Sequence, residues 1–173
     1  MAEIVKVDGI STLKAWPKGL IAQLLSQGLS INQAIEKAER EKKCRYKNTQ
    51  HNLFVSLGKY LVIDFLIGEI RTGLNYHALG TYDNAPAVSD TLLTSEASRN
   101  SITSKTRSGG TMILSTYFAA ALCTFYVKEC GIFGNGATSA ANTGTLFSHY
   151  LQAFDNRDGL NDLTLEYNFV FSS

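Results

Sequence analysis

The run from Asp162 to Phe171 constrains the fold of this chain more than any other segment. Leu163, Leu165, Tyr167, Phe169 and Phe171 alternate there with Thr164, Glu166, Asn168 and Val170. Successive side chains of a strand point to opposite faces, so a period of two predicts a strand with one buried face. Its backbone needs partners, because N–H and C=O groups are costly to bury unpaired. The chain offers several. Thr111–Phe118 and Cys123–Phe133 are rich in β-branched and aromatic residues, and Asn75–Tyr82 and Thr145–Phe154 also read as strands. Ser101–Thr106 alternates weakly. Turn chemistry separates these runs at Asp83-Asn84-Ala85-Pro86, Arg107-Ser108-Gly109-Gly110 and Asn156-Arg157-Asp158-Gly159, and Gly134–Gly144 is a small, polar loop. Ser89-Asp90 is placed to cap a short helical turn over residues 91–99.

Upstream the pattern is helical. Residues 1–10 read as a short strand or arm, and Pro17 suits a first helical position, where a missing N–H costs nothing. Leu20, Ile21, Leu24 and Leu25 share one face, and Gly28 suits a left-handed cap. Ser30 with Gln33 forms a capping box for a second helix whose apolar face is Ile31, Ala34, Ile35 and Ala38. Its other face is charged, with Glu36, Lys37, Glu39 and Arg40, and Glu41–Gln50 reads as a linker. A third helix, predicted over about residues 53–70, is apolar nearly all round and is expected to be buried. The expectation is therefore an α+β chain: an antiparallel β-sandwich of about seven to eight strands preceded by an N-terminal helical segment. Its parts would be residues 1–51, an arm and helical hairpin for docking, and residues 52–173, a helix plus sandwich.

At 173 residues with ordinary composition, the chain can bury a sizeable core without staples. Three cysteines without a CxxC pair argue against a disulfide framework or a zinc site. The most apolar stretch is interrupted by Gly58, Lys59, Asp64 and Gly68, so no membrane span is expected, and the opening MAEIVKVDG does not read as a secretory signal. Residues 1–51 carry nine Lys/Arg against five Asp/Glu, whereas residues 52–173 carry seven against ten. That basic half, with a helix–turn–helix pattern over residues 17–43, permits a small DNA-binding regulator. The second helix has no clear base-reading set, however, and its polar face mixes acids with bases, so nucleic acid is the less favoured partner.

No phosphate loop, HExxH, GxSxG or dinucleotide fingerprint is present. His51, His77 and His149 are scattered, although His77 and His149 lie in predicted strands that could bring them together. Asp155, Asp158 and Asp162 surround a turn without the offsets of a calcium loop. Glu96 and Glu129 are the acids most surrounded by apolar residues, and they suit acceptance of backbone N–H bonds or pairing with Arg99 better than acid–base work. No catalytic residue, cofactor or metal is expected.

Four motifs occur in order. The first, Gly73–Arg99, contains Gly80, Pro86, Asp90-Thr91, Leu93, Glu96 and Arg99. The second, Lys128–Gly136, contains Glu129, Gly131 and Phe133. The third and fourth are Gly144–Phe154 and Asp162–Phe171. Together they resemble a pattern in small tailed-bacteriophage structural proteins and at the start of tail-collar fibre proteins, over about residues 52–173. Lys128 stands where that pattern commonly has Arg. The resemblance implies a non-enzymatic virion component at the neck, tail or baseplate, or anchoring a fibre, that is assembled in the bacterial cytoplasm. It implies a homo-oligomer with other virion proteins as partners, and a capsid decoration protein is the alternative. Glu96, Arg99 and Glu129 would form one buried ion-pair network. The hairpin residues Trp16, Leu20, Leu24, Ile31 and Ile35 would serve assembly, and residues 1–10 would be a strand-adding arm.

Overall fold

The computed structural model describes residues 6–69 and 72–172. Among them are ten strands: β1 (Lys6–Pro17), β2 (Tyr46–His51), β3 (Leu53–Phe54), β4 (Leu74–Gly80), β5 (Glu96–Ser101), β6 (Ser104–Ser108), β7 (Thr111–Phe118), β8 (Tyr126–Gly134), β9 (Thr145–Asp155) and β10 (Asn161–Ser172). Three α-helices lie between them: α1 (Leu20–Ser26), α2 (Ile31–Arg40) and α3 (Ser56–Leu66). The strands form two antiparallel sheets, β2-β1-β10-β7-β6 (sheet A) and β3-β9-β8-β4-β5 (sheet B). This is an α+β fold built on a β-sandwich, with ten strands rather than seven or eight.

β10 is the centre of sheet A, as its alternation demands. Leu163, Leu165, Tyr167 and Phe169 pack with Leu79, Ile132, Phe147 and Tyr150 of sheet B in one core. At about 1.5–3 kcal/mol for each large side chain buried, this layer dominates the stability of the fold.

The N-terminal segment departs from expectation. β1 pairs with β10 from Lys6↔Ser172 to Pro17↔Asn161, and on its other edge with β2. Residues 6–10 are therefore part of the sandwich rather than a free arm; residues 1–5 of the expected arm lie outside the described residues. The expected boundary near residue 51 falls between β2 of sheet A and β3 of sheet B, and β1 and β2 before it share sheet A with β10, β7 and β6 after it. Pro17 closes β1 instead of opening a helix, and α1 starts three residues later, after Gly19 at φ 81°. Part of the expected linker is β2, a polar edge strand whose side chains mostly face water.

The capping box forms: Ser30 Oγ accepts from the Gln33 N–H, and Gln33 Oε1 accepts from the Ser30 N–H. The hairpin α1–α2 covers the outer face of sheet A, where Trp16 and half-buried Tyr117 meet Ile21, Leu24, Ile31, Ala34, Ile35 and Ala38. Trp16 Nε1 donates 2.9 Å to Thr164 Oγ1, so the even-numbered side of β10 is buried here as well.

Three further expectations change. Leu53–Phe54 is a strand paired with Ser148 and His149, so the third helix is shorter than predicted. α3 docks on β9 through Gly58, where a Cβ would overlap the Phe147 carbonyl. Its remaining surface is not buried: Tyr60, Ile63, Phe65, Leu66 and Ile67 are all more than half exposed. Residues 96–101 form a strand, not the end of a helical turn. Among the described residues, no helix is long and apolar enough to cross a membrane.

Candidate functional site

The motif residues converge on the outer face of sheet B. A period of two puts Glu129, Gly131 and Phe133 of β8 on one side, and the strand register aligns them with β4 and β5. Gly80 lies between Glu96 and Glu129, and Ala78 lies between Arg99 and Gly131, with His149 beyond Gly131 on β9. Two loops, residues 81–95 and 135–144, close over these rows.

Glu129 holds the first loop. It is 1% exposed, and its two carboxylate oxygens accept the N–H groups of Thr94 at 3.0 Å and Ser95 at 2.7 Å. His149 Nε2 lies 3.2 Å from Glu129 Oε2, and its Nδ1 lies 2.7 Å from Asp90 Oδ2. Asp90 also accepts the Ala87 N–H, tightening the turn. A carboxylate on each ring nitrogen favours a ring that donates from both, which is the imidazolium form. Burial alone would lower the His149 pKa, but the bonds to Glu129 and Asp90 outweigh it and leave it raised. Burial likewise pushes Glu129 up, while His149 and the two backbone donors bring it below the usual carboxylate value.

Two strand glycines, Gly80 at the end of β4 and Gly131 within β8, make this clamp possible. A Cβ on Gly80 would lie 2.5 Å from Glu129 Oε1 and 2.7 Å from the Ser95 carbonyl. A Cβ on Gly131 would lie 2.9 Å from Leu93, whose side chain packs with Ala78, Phe133 and Leu146 under the loop. Pro86 and Thr91 ride on the same loop, half-buried and exposed respectively.

Arg99 holds the second loop. It forms a bidentate pair with Glu96, with Nε–Oε1 at 2.5 Å and Nη2–Oε2 at 2.7 Å, and the two side chains are 2% and 1% exposed. Arg99 Nη1 donates to the Thr138 and Thr143 carbonyls at 3.0 Å, and its guanidinium stacks 4.6 Å from the Phe133 ring centroid. Glu96 also accepts the Asn142 N–H. Gly144 closes this loop at φ 80°, pressed against Ala137 and the Gly134 carbonyl.

The single network expected of Glu96, Arg99 and Glu129 is therefore two. Strand β4 separates Glu96 from Glu129, and the partners of Glu129 are backbone N–H groups and His149 rather than Arg99. His77 and His149 do not meet: His77 faces the inner core, 2.6 Å from Thr116 Oγ1 of sheet A. The three turn aspartates are engaged separately. Asp155 pairs with Arg157, Asp158 accepts the Leu160 N–H, and Asp162 accepts from Gly19 and Ala120. Among the described residues no three metal-type ligands cluster. Burial pushes the Cys123 thiol up to about 11, and Cys44 and Cys130 upward too.

The hairpin residues expected to serve assembly are spent within the chain. Trp16, Leu24, Ile31 and Ile35 are at most 5% exposed, and Leu20 packs against them. The role of Asp90 and His149 was missed because it depends on the register Gly131↔His149, which has no local sequence signal. Comparison of the chain with protein-family models, with curated proteins and with solved structures found no match.

Proposed function

We propose that this protein is a structural component of a tailed-bacteriophage particle, acting by protein–protein assembly at the neck, tail or baseplate or as a fibre anchor. The observation that carries the reading is how its ionisable motif residues are used. The side chains of Glu96, Arg99 and Glu129 are almost wholly buried and have protein partners at every charged oxygen and at each guanidinium nitrogen. A group so saturated holds shape, and the shape held here is that of two adjacent loops. A rigid loop surface on a sandwich suits repetitive docking in a symmetric particle. The likeness of this motif set to the tail-collar pattern supplies the particle.

Gold-labelled antibody against the chain, viewed on purified particles by electron microscopy, tests the proposal. Label at the neck or tail supports it. Label spread over the head favours a capsid decoration protein instead. Particles without label overturn a virion role.

A further inference from the structure

We propose that the outward face of α3, with the apolar groove beside it, is the surface through which two copies of this chain associate around a two-fold axis. The sequence of α3 is apolar nearly all round, a pattern that belongs to buried helices. Yet only Gly58 and Leu61 are fully buried in the isolated chain. Tyr60 is 58% exposed, Ile63 52%, Phe65 53%, Leu66 78% and Ile67 66%, with Phe171 of β10 at 50% nearby.

These side chains are arranged to meet a second helix. At 3.6 residues per turn, Tyr60, Ile63 and Ile67 fall in one outward row with the three-then-four spacing of a helix–helix seam. Phe65 and Leu66 continue the apolar surface into an open groove of about 370 Å³, which Met112, Phe169 and Phe171 also line. Six large apolar residues, each half or more exposed, thus lie on and beside one helix, whereas exposed apolar residues on a monomer are ordinarily scattered singly.

Charge selects a second copy as the occupant. Exposed Lys59 lies at the start of α3 and exposed Glu69 just past its end, on opposite sides of Ile63. An antiparallel crossing that sets residue 59 against residue 69 is centred at residue 64, one residue past Ile63, and puts each Lys59 beside the partner's Glu69, whereas the half-buried Asp64 side chain lies to the side of the seam. The sheet edges offer a poorer route. β6 is Ser-Lys-Thr-Arg-Ser, β5 is the polar Glu-Ala-Ser-Arg-Asn-Ser, β2 is polar and mostly exposed, and β3 has two residues, all features that discourage edge pairing.

The test is the mass of the full chain by light scattering over a broad concentration range, and it requires no particle. The expected result is a dimer that dissociates on dilution. Ile63→Lys or Ile67→Lys, each at an exposed site, should weaken association about thirtyfold or more, as central interface substitutions do, with unchanged circular dichroism. As a second measurement, Ile63→Cys in a Cys44→Ser background should cross-link into a dimer with a short bismaleimide, and Glu36→Cys in the same background should not. A monomer at every concentration overturns the inference, whatever occupies the face instead. So does a dimer indifferent to both lysine substitutions, or equal cross-linking at positions 63 and 36. None of these results bears on the gold label, so interface and particle location fail separately.

Discussion

His149 sits beside Gly131 across the β8–β9 pair, and its Nε2 donates to Glu129 at 3.2 Å while its Nδ1 donates to Asp90 at 2.7 Å. Glu129 belongs to the sheet and Asp90 to the loop over it. A positive charge between two carboxylates therefore staples the 81–95 loop to the sandwich, and the clamp depends on its proton.

The alkaline limb of stability follows from that proton. His149 has a folded pKa above its ordinary 6.5, so its contribution is fully present below pH 6.5 and is lost as pH rises through the folded value. Glu129 has a folded pKa below its ordinary 4.5, so its contribution is present above that and is lost as pH falls through the folded value. Urea unfolding as a function of pH should decline above pH 6.5 by at most about 1.4 kcal/mol per pH unit. His149→Gln should abolish this decline and cost about 1–3 kcal/mol below it, where Glu129 loses its charged partner.

His77 gives the opposite slope. It is fully buried, Nδ1 is bonded to Thr116 Oγ1, and desolvation lowers its pKa to about 3. Between about 3 and its ordinary 6.5 the unfolded chain binds a proton at this site that the folded chain refuses, so stability falls as pH drops through that interval. With His149 falling away on the other side, the maximum contributed by the two histidines lies near pH 6.5. His77→Leu should flatten the acid limb and leave the alkaline limb intact, and chemical denaturation at a series of pH values separates the two.

Gly80 and Gly131 predict unequal costs for the same added methyl. At Gly80 the new Cβ meets the clamping carboxylate and the Ser95 carbonyl, neither of which can move without breaking the loop contacts. At Gly131 it meets the ends of Leu93 and Leu146, which can adjust. Gly80→Ala should cost about 1–3 kcal/mol, the range for overpacking, and should quicken amide exchange at Thr94 and Ser95. Gly131→Ala should cost less and leave that exchange slow.

Much of this fold is legible locally, and the remainder is not, for physical reasons. The alternation of β10 and the Ser30–Gln33 box are short-range signals, and both structures form. Only the first part of β1 was legible, as a short strand or arm ending by residue 10, because Lys14 and Pro17 disguise its second half and its pairing with β10 joins residues more than 140 apart. β2 is polar because it is an edge strand. At the clamp, the positions of Glu96, Arg99, Glu129 and the two glycines followed from motif order, but their partners followed only from register. A period of two says which face a residue takes, not which residue on the next strand stands beside it. The apolar circumference of α3 predicted burial, yet only Gly58 and Leu61 are buried, because a helix's own pattern does not say how much of it the rest of the fold reaches.

The Glu96–Arg99 pair yields the largest predicted loss. Replacing Glu96 by Gln leaves a guanidinium 2% exposed with no counter-charge, facing an amide, the Thr138 and Thr143 oxygens and the Tyr76 and Phe133 rings. Removing one member of a buried pair costs about 3–5 kcal/mol, because the remaining charge stays desolvated. Arg99→Lys should also destabilise, since an ammonium cannot span Glu96 and two carbonyls as the planar fork does. Changing both residues to Met removes the stranded charge, so the double variant should lose less than the sum of the Glu96→Met and Arg99→Met losses. A double-mutant cycle on urea midpoints with constant m-values measures that coupling. Strict additivity would mean that the pair holds no energy in common and that the 135–144 loop is fixed by its own hydrogen bonds, such as Thr143 to Ala140, rather than by Arg99.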